Sequence, residues 1–184
     1  MKAETEQPSR PRNSWAQEEP EPTIQTAGHL YLEDLRVGQR FTSGTYLMDE
    51  SRIKAFAAEF DPQPFHLDES AGRASVFGGL AASGWHTAAV AMRLLVTGGL
   101  PLANGSIGLG GKIAWPRPTR PGDTLRVESE ITDIVPSRSK PNQAIITVRI
   151  RAMNQHGEEV YIFTAKVLAF KRDSRSEGRP RTDE

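Results

Sequence analysis

Residues 60–69, FDPQPFHLDE, place a carboxylate and an imidazole five positions apart. Pro62 and Pro64 stand between them, and a proline fixes its own φ and biases the preceding residue away from the α-helical region. The sequence therefore predicts a stiff, extended loop that carries Asp61 and His66. Such a loop can hold a carboxylate and an imidazole around one water molecule at little entropic cost, as general acid–base chemistry requires.

Other interpretations of these side chains stay open. An Asp before a Pro commonly begins a turn, and His66 could simply donate a hydrogen bond to a nearby carbonyl. Four neighbouring residues have side chains that metals accept, namely Asp61, His66, Asp68 and His86. Their spacings match no zinc pattern, so we expect no metal. A triad of Ser83, His66 and Asp61 would lack the sharp turn that exposes such a serine.

Three further stretches could contact a ligand. Ser83 is placed to cap a helix, with His86 in the first turn of that helix. The segment GSIGLGG at 105–111 lacks both the lysine of a phosphate-binding loop and a βαβ setting. Its glycines, among them Gly108 and Gly110, would rather let a backbone or a thin ligand approach a strand. Basic residues near the strand ends are expected to be mostly solvated, although one or two could meet carrier phosphates: Lys112, Arg117, Arg120, Arg138 and Lys140.

Hydrophobic spacing predicts two helices that would position these residues. Apolar side chains recur with helical period after an Asp49 N-cap, at Ile53, Phe56, Ala57 and Phe60. Asp68 is expected to cap a brief turn. Residues 78–99 are rich in Ala, Leu, Val and Met and apolar nearly all round, which predicts a long central helix surrounded by protein.

The rest of the pattern is typical of strands. One short strand is expected near 40–47. Four β-branched runs follow the central helix, separated by PRPTRPG, PSRSKPN and QHG. In the second run Leu125, Val127 and Ile131 share one parity, which indicates one buried face. The last run, VYIFTAKVLAF, is apolar on both parities, as a central or doubly covered strand would be. We predict an α+β fold in which an antiparallel four-strand meander wraps around the long central helix.

Composition excludes several classes of protein. Lys plus Arg and Asp plus Glu number 23 each, so no net field attracts nucleic acid or an anionic membrane. There is no cysteine, which removes disulfides and thiolate chemistry and suits a reducing cytoplasm. No signal peptide or membrane-spanning stretch is apparent, so we expect a cytoplasmic protein. The polar ends, 1–28 and 173–184, are expected to be disordered tails around one domain at 29–172.

Two ordered segments carry a family resemblance. FAAEFDPQPFHLDESAGRASVFGGLAASGW, followed by GSIGLGGKIAWPRPTRPGDTLRVESEI, resembles the MaoC-like dehydratases, which include the (R)-specific enoyl-CoA hydratases. The family motif runs from a helix ending in Phe-Ala through an Asp, Asn-Pro, any residue and His. It continues through Leu-Asp and Phe-Gly to a helix opened by Ala-His-Gly-Met. The resemblance covers about residues 30–170.

This resemblance implies a hot-dog fold and a homodimer whose subunits together build a tunnel for an acyl-CoA or acyl-carrier thioester. It assigns Asp61 and His66 to the catalytic pair that adds water across an enoyl thioester or removes it, with Asp61 as the base. Gly84 would polarise the thioester carbonyl through its N–H. No cofactor is implied beyond the coenzyme A of the substrate. A thioesterase and a noncatalytic acyl-thioester-binding protein are the alternatives.

The chain departs from the family motif at two places. Gln63 stands where the family has Asn, and its amide reaches one methylene further. Ser83 and Trp85 flank Gly84 where the family has His and Met. Trp85 and His86 would then narrow or reshape the acyl pocket at the helix entrance. Substrate contacts are therefore expected from Gln63, Ser83, Trp85 and His86, and from the two strand glycines.

Overall fold

The computed structural model describes residues 29–172 of the 184-residue chain, so both expected tails lie outside the described residues. The helices are α1 (Glu50–Phe60), α2 (Pro64–Leu67), α3 (Glu69–Ala74) and α4 (Gly84–Leu94), and a π-helical turn at Leu95–Gly99 extends the last. The strands are β1 (Arg40–Leu47), β2 (Ile107–Ala114), β3 (Thr124–Pro136), β4 (Gln143–Met153) and β5 (Glu159–Phe170). The predicted α+β class is confirmed.

The five strands form one antiparallel sheet in the order β1-β3-β4-β5-β2. The predicted meander is confirmed for β3, β4 and β5. The prediction is wrong for β2, which pairs with β5 instead of β3. After β2 the chain crosses the N-terminal end of α4, where the Ala82 N–H donates to the Thr119 carbonyl at 2.9 Å. The proline-rich connection therefore does not form a hairpin between β2 and β3. Strand β5 is interior, as its two apolar faces indicate.

Helix α4 packs on one face of the sheet and forms the core with it. Its buried side chains include Val90, Ala91 and Leu94, and those of β3 include Leu125 and Val127, both fully buried. The predicted alternation of β3 is therefore confirmed. Because α4 and the sheet share one core, α4 has the position expected of the central helix. Its predicted extent, 78–99, is wrong at the start, since the helix begins at Gly84.

The prediction that this helix is surrounded by protein is wrong for a single chain. Trp85 is 59% exposed, and Met92 and Val96 are each 44% exposed. The sheet covers one side of α4 and leaves these apolar side chains on the other. Within residues 29–172, no helix is long and apolar enough to span a bilayer.

Helix α1 begins where the sequence predicts. The Asp49 side chain accepts hydrogen bonds from the N–H groups of Ser51 and Arg52 at 2.9 and 3.2 Å. Ile53 and Ala57 are fully buried, but Phe60 is 64% exposed, so its predicted place in the buried stripe is wrong. Phe60 ends the helix, past the part of α1 that packs on the core.

Candidate active site

Asp61 and His66 follow α1 on two differently built segments. Asp61 caps the helix, with its N–H donating to the Ala57 carbonyl at 2.9 Å. Gln63 is extended, as expected before a proline, with φ −84° and ψ 137°. The extended loop stops there, because His66 lies in the single-turn helix α2. Pro64 is the first residue of that turn, where its missing N–H costs no intrahelical bond.

The His66 ring is buried and held in one orientation. Its Nδ1 lies 2.7 Å from the Ala81 carbonyl oxygen, and the residue is 4% exposed. Because a carbonyl only accepts, Nδ1 carries a proton, so the lone pair of the neutral form of the ring would be on Nε2. Nε2 lies 3.5 Å from Asp61 Oδ2. An imidazole nitrogen and a carboxylate oxygen thus lie close enough to contact one small molecule between them.

Both oxygens of Asp61 accept hydrogen bonds from neutral donors. Ser83 Oγ donates to Oδ2 at 2.6 Å, and Gln63 Nε2 donates to Oδ1 at 2.7 Å. Burial alone would raise the pKa of Asp61, but these two bonds, together with the charge that His66 has when it is protonated, outweigh it and hold the pKa below its usual value. Asp61 is therefore a carboxylate ready to accept a proton at neutral pH.

The N-terminus of α4 lies beside this pair. Ser83 caps the helix by accepting from the Trp85 N–H at 3.2 Å, as its sequence position predicts. Gly84 is the first helical residue, so its N–H has no partner within the helix. The Trp115 indole N–H donates to the Gly84 carbonyl at 2.9 Å, and a Cβ on Gly84 would lie 3.0 Å from that ring. Only glycine fits against the indole without displacing it.

These groups open onto one cavity of about 450 Å³. Its wall combines the acid–imidazole pair, the helix N-terminus and a mostly apolar lining: Asp61, Gln63, Phe65, His66, Phe77, Ala82, Gly84, Trp85, Thr87, Trp115, Pro116, Arg117, Pro118 and Thr119. Of the residues expected at the site, Asp61, His66, Gly84, Gln63 and Trp85 are on this wall. A pocket of this size and polarity suits a small organic ligand with one reacting centre.

The other expected contacts lie off the wall. Ser83 is fully buried and reaches the site through Asp61. His86 points to α1, where its ring stacks on Phe56 with centroids 4.7 Å apart. Gly108 and Gly110 lie on the exposed edge strand β2, next to an irregularity in its pairing with β5. Gly110 has φ +128°, which explains its glycine without a ligand.

Several wall residues were not predicted from the sequence, because their contacts with one another follow no local pattern. Phe65 and Phe77 flank the His66 ring at centroid distances of 4.6 and 6.1 Å. Trp115 follows β2 and contacts Trp85 edge to face at 5.5 Å. Hydrophobic periodicity indicates neither of these aromatic contacts. The Trp in the proline-rich segment WPRP is the one sequence feature that could have pointed to them.

Two of the basic residues that could meet carrier phosphates, Arg120 and Arg117, have different surroundings in the structure. Arg120 donates from its guanidinium to the carbonyls of Phe77, Gly79 and Leu80, so it clamps the loop before α4. Arg117 instead lines the cavity. Within residues 29–172 no group of three or more acidic, histidine or cysteine side chains is arranged to hold a metal ion.

Comparisons with known proteins agree with this architecture. The sequence profile of the MaoC-like domain family matches residues 33–153. A MaoC-like dehydratase from Rhodospirillum rubrum is 60% identical, covers 78% of this chain and 99% of its own, and superposes with a TM-score of 0.77. The protein YdeM of Bacillus subtilis (strain 168) is 30% identical over 142 residues, which are 75% of this chain and 96% of YdeM.

The R-hydratase PhaJ1 from Pseudomonas aeruginosa, in its unliganded form, is a more distant relative of known structure. It is 28% identical and superposes with a TM-score of 0.63 over 85% of this chain and 97% of its own. The hot-dog architecture expected from the sequence is thereby confirmed. The matching profile, the relatives and the five-stranded sheet on its helix together place the chain in the MaoC-like dehydratase family.

Proposed function

We propose that this protein is a hydro-lyase that adds water to a trans-2-enoyl thioester, such as an acyl-CoA, or removes it from the 3-hydroxyacyl thioester. The observation that carries the proposal is the placement of Asp61 Oδ2 and His66 Nε2, 3.5 Å apart, on the wall of one cavity that also contains the N-terminus of α4. Similarity to an R-hydratase supports the same reaction class.

The two side chains would share one water molecule. Asp61 accepts hydrogen bonds on both oxygens and is ionised, so it can take the proton that the water loses as its oxygen bonds to C3. His66 Nε2 would accept a hydrogen bond from the water and orient it. The proton on Asp61 would then pass to His66 Nε2, which lies 3.5 Å from Oδ2, and from there to C2. One hydrogen and one hydroxyl are thereby added, and both side chains return to their starting protonation states.

The helix N-terminus would stabilise the charge that develops during this addition. Attack at C3 moves electrons toward the thioester oxygen and makes an enolate. The Gly84 N–H has no intrahelical partner and lies at the positive end of the α4 dipole. A donor already fixed in position stabilises an oxyanion without reorganisation. We propose that Gly84 binds this oxygen, and that the reaction needs no cofactor because carboxylate, imidazole and backbone dipole suffice.

We also propose that two chains form a homodimer. We define the apolar strip as the exposed apolar side chains of α4, of its π-helical extension and of β2: Trp85, Met92, Val96, Ile107, Leu109 and Ile113. Strand β2 is also a sheet edge with unpaired backbone groups. Trp85 belongs both to the strip and to the cavity wall, so a second chain on the strip would complete that wall.

One assay tests the reaction class. Purified protein is mixed with crotonyl-CoA and longer trans-2-enoyl-CoAs, while the conjugated enoyl absorbance and the free thiol are followed separately. Hydration predicts loss of absorbance without thiol. Thiol release would contradict it and indicate a thioesterase, and binding with neither change would indicate a noncatalytic binding protein. Heat-denatured protein is the control.

A further inference from the structure

Arg117 is the only Lys or Arg on the described cavity wall. The remaining wall groups are the Asp61–His66 pair, neutral polar groups and apolar or aromatic side chains. A guanidinium at such a place is available to pair with an anionic group of a ligand that enters the cavity. Its presence beside an otherwise apolar wall suggests that the ligand carries a negative charge away from its reacting carbons.

The backbone around Arg117 is rigid. Pro116 precedes it and Pro118 follows, so both prolines have fixed φ and Arg117 is biased toward an extended conformation. Contacts on both sides anchor the segment to the start of α4. Trp115 donates to the Gly84 carbonyl, and Thr119 Oγ1 lies 2.9 Å from Thr87 Oγ1. The backbone of Arg117 is therefore held close to the helix N-terminus.

The Arg117 side chain has one ionic partner, and its hydrogen-bond donors are not used up by it. Arg117 Nε lies 3.4 Å from Glu158 Oε1, and Asn154 holds the other oxygen of Glu158 at 2.9 Å. This ion pair is half exposed on both sides, at 54% and 45%, and exposed pairs of this kind are weak. Among residues 29–172, no acceptor takes a hydrogen bond from the guanidinium. An incoming anion can therefore use its N–H groups.

We propose that Arg117 is a specificity-determining residue that binds an anionic group of the thioester, with Glu158 as a weak ionic partner on its other side. The planar guanidinium matches the geometry of carboxylate and phosphate oxygens. The anion belongs either to the phosphates of coenzyme A or to a carboxylate on the acyl chain. This inference rests on the proposed function, because it assigns the substrate of the same cavity.

Binding of four saturated thioesters separates the two sources without requiring turnover. Butyryl-CoA, glutaryl-CoA, butyryl-pantetheine and glutaryl-pantetheine combine a phosphate-bearing or phosphate-free carrier with a neutral or carboxylated chain. Their affinities are measured by calorimetry for the wild type, Arg117→Gln and Arg117→Lys. Arg40→Gln is the matched control, because Arg40 forms an ion pair with Glu130 at 3.2 Å on the opposite edge of the sheet.

Arg117→Gln is expected to weaken binding about tenfold or more for each thioester that carries the recognised anion. Loss for both CoA thioesters identifies the phosphates, and loss for both glutaryl thioesters identifies the carboxylate. Arg117→Lys should recover part of the affinity, since it keeps the charge but not the planar fork. Butyryl-pantetheine and the Arg40→Gln control should change less than about twofold.

Three results would overturn the inference: equal affinities of wild type and Arg117→Gln for all four thioesters, an equal loss for neutral butyryl-pantetheine, or no binding of any thioester. The first two leave the proposed hydration intact, since the enoyl assay reports on it independently. If the protein binds the charged thioesters through Arg117 but does not hydrate the enoyl-CoAs, the assignment of the substrate stands and the proposed reaction is wrong.

Discussion

Replacing His86 by leucine should make the protein less sensitive to acid. The His86 ring stacks on Phe56 with an interplanar angle of 7°, is 6% exposed, and has its Nδ1 buried without a hydrogen-bond partner among the described residues. Burial, with a smaller effect of the Arg52 charge, lowers the pKa of His86 to about 4. The folded protein therefore keeps this imidazole neutral at pH values where the unfolded chain protonates it.

The sign and size of the effect follow from this difference. Below its ordinary pKa of 6.5 the unfolded state binds one more proton than the folded state, so the free energy of unfolding falls as the pH drops. The loss ends near pH 4, where folded His86 is protonated as well. At roughly 1.4 kcal/mol per pH unit, it is about 2 kcal/mol at pH 5 and about 3 kcal/mol near pH 4.

Urea unfolding followed by circular dichroism at pH 7.5 and pH 5 measures this loss. Between these two values the free energy of unfolding of His86→Leu relative to wild type should rise by about 2 kcal/mol, because leucine has no proton to bind. His86→Phe, which keeps a ring on Phe56, should show the same change. His156→Leu, in the exposed β4–β5 turn, is the control and should follow wild type. Parallel losses in wild type and both His86 variants would refute the reasoning.

Three further outcomes are expected. Ser83→Ala removes the 2.6 Å hydrogen bond to Asp61 and should shift the acid limb of the kcat/KM profile to higher pH, because that bond lowers the Asp61 pKa; an unmoved limb would contradict this. Gly84→Ala should lower kcat about tenfold or more by displacing the Trp115 ring from the helix N-terminus, with far-UV circular dichroism confirming the fold. Light scattering should give about twice the 20.3 kDa chain mass, and Leu109→Asp should reduce it to the monomer mass; a monomeric wild type would contradict the dimer.

Local patterns in the sequence predicted most of the elements. The Asp49 and Ser83 caps, the alternation in β3 and the break of α1 before Pro62 each depend on chemistry within a few residues, and each is present in the fold. The position of β2 was not predictable in this way. Its pairing with β5 depends on contacts between the 115–119 segment and α4, which are far apart in sequence.

In the candidate site, too, local sequence patterns predicted some residues, and contacts between distant residues could not be predicted. Asp61 and His66 were visible because proline spacing and a family motif mark them. The hydrogen bond from Ser83 to Asp61 joins residues 22 positions apart, and no periodicity could have indicated it. The exposed side of α4 was wrongly predicted to be buried, since composition does not distinguish an apolar side chain on the surface from one in the protein's own core.

The hydration rate of Asp61→Asn measures whether Asp61 acts as the base. Asparagine keeps the shape of Asp61 but cannot accept the proton from water, and a positioned base typically contributes 10²–10⁴-fold to a rate. Hydration of crotonyl-CoA by Asp61→Asn should therefore fall by at least about a hundredfold in kcat, whereas Asp133→Asn, on the exposed part of β3, should match wild type. An Asp61→Asn rate within about twofold of wild type would contradict the assignment of Asp61 as the base.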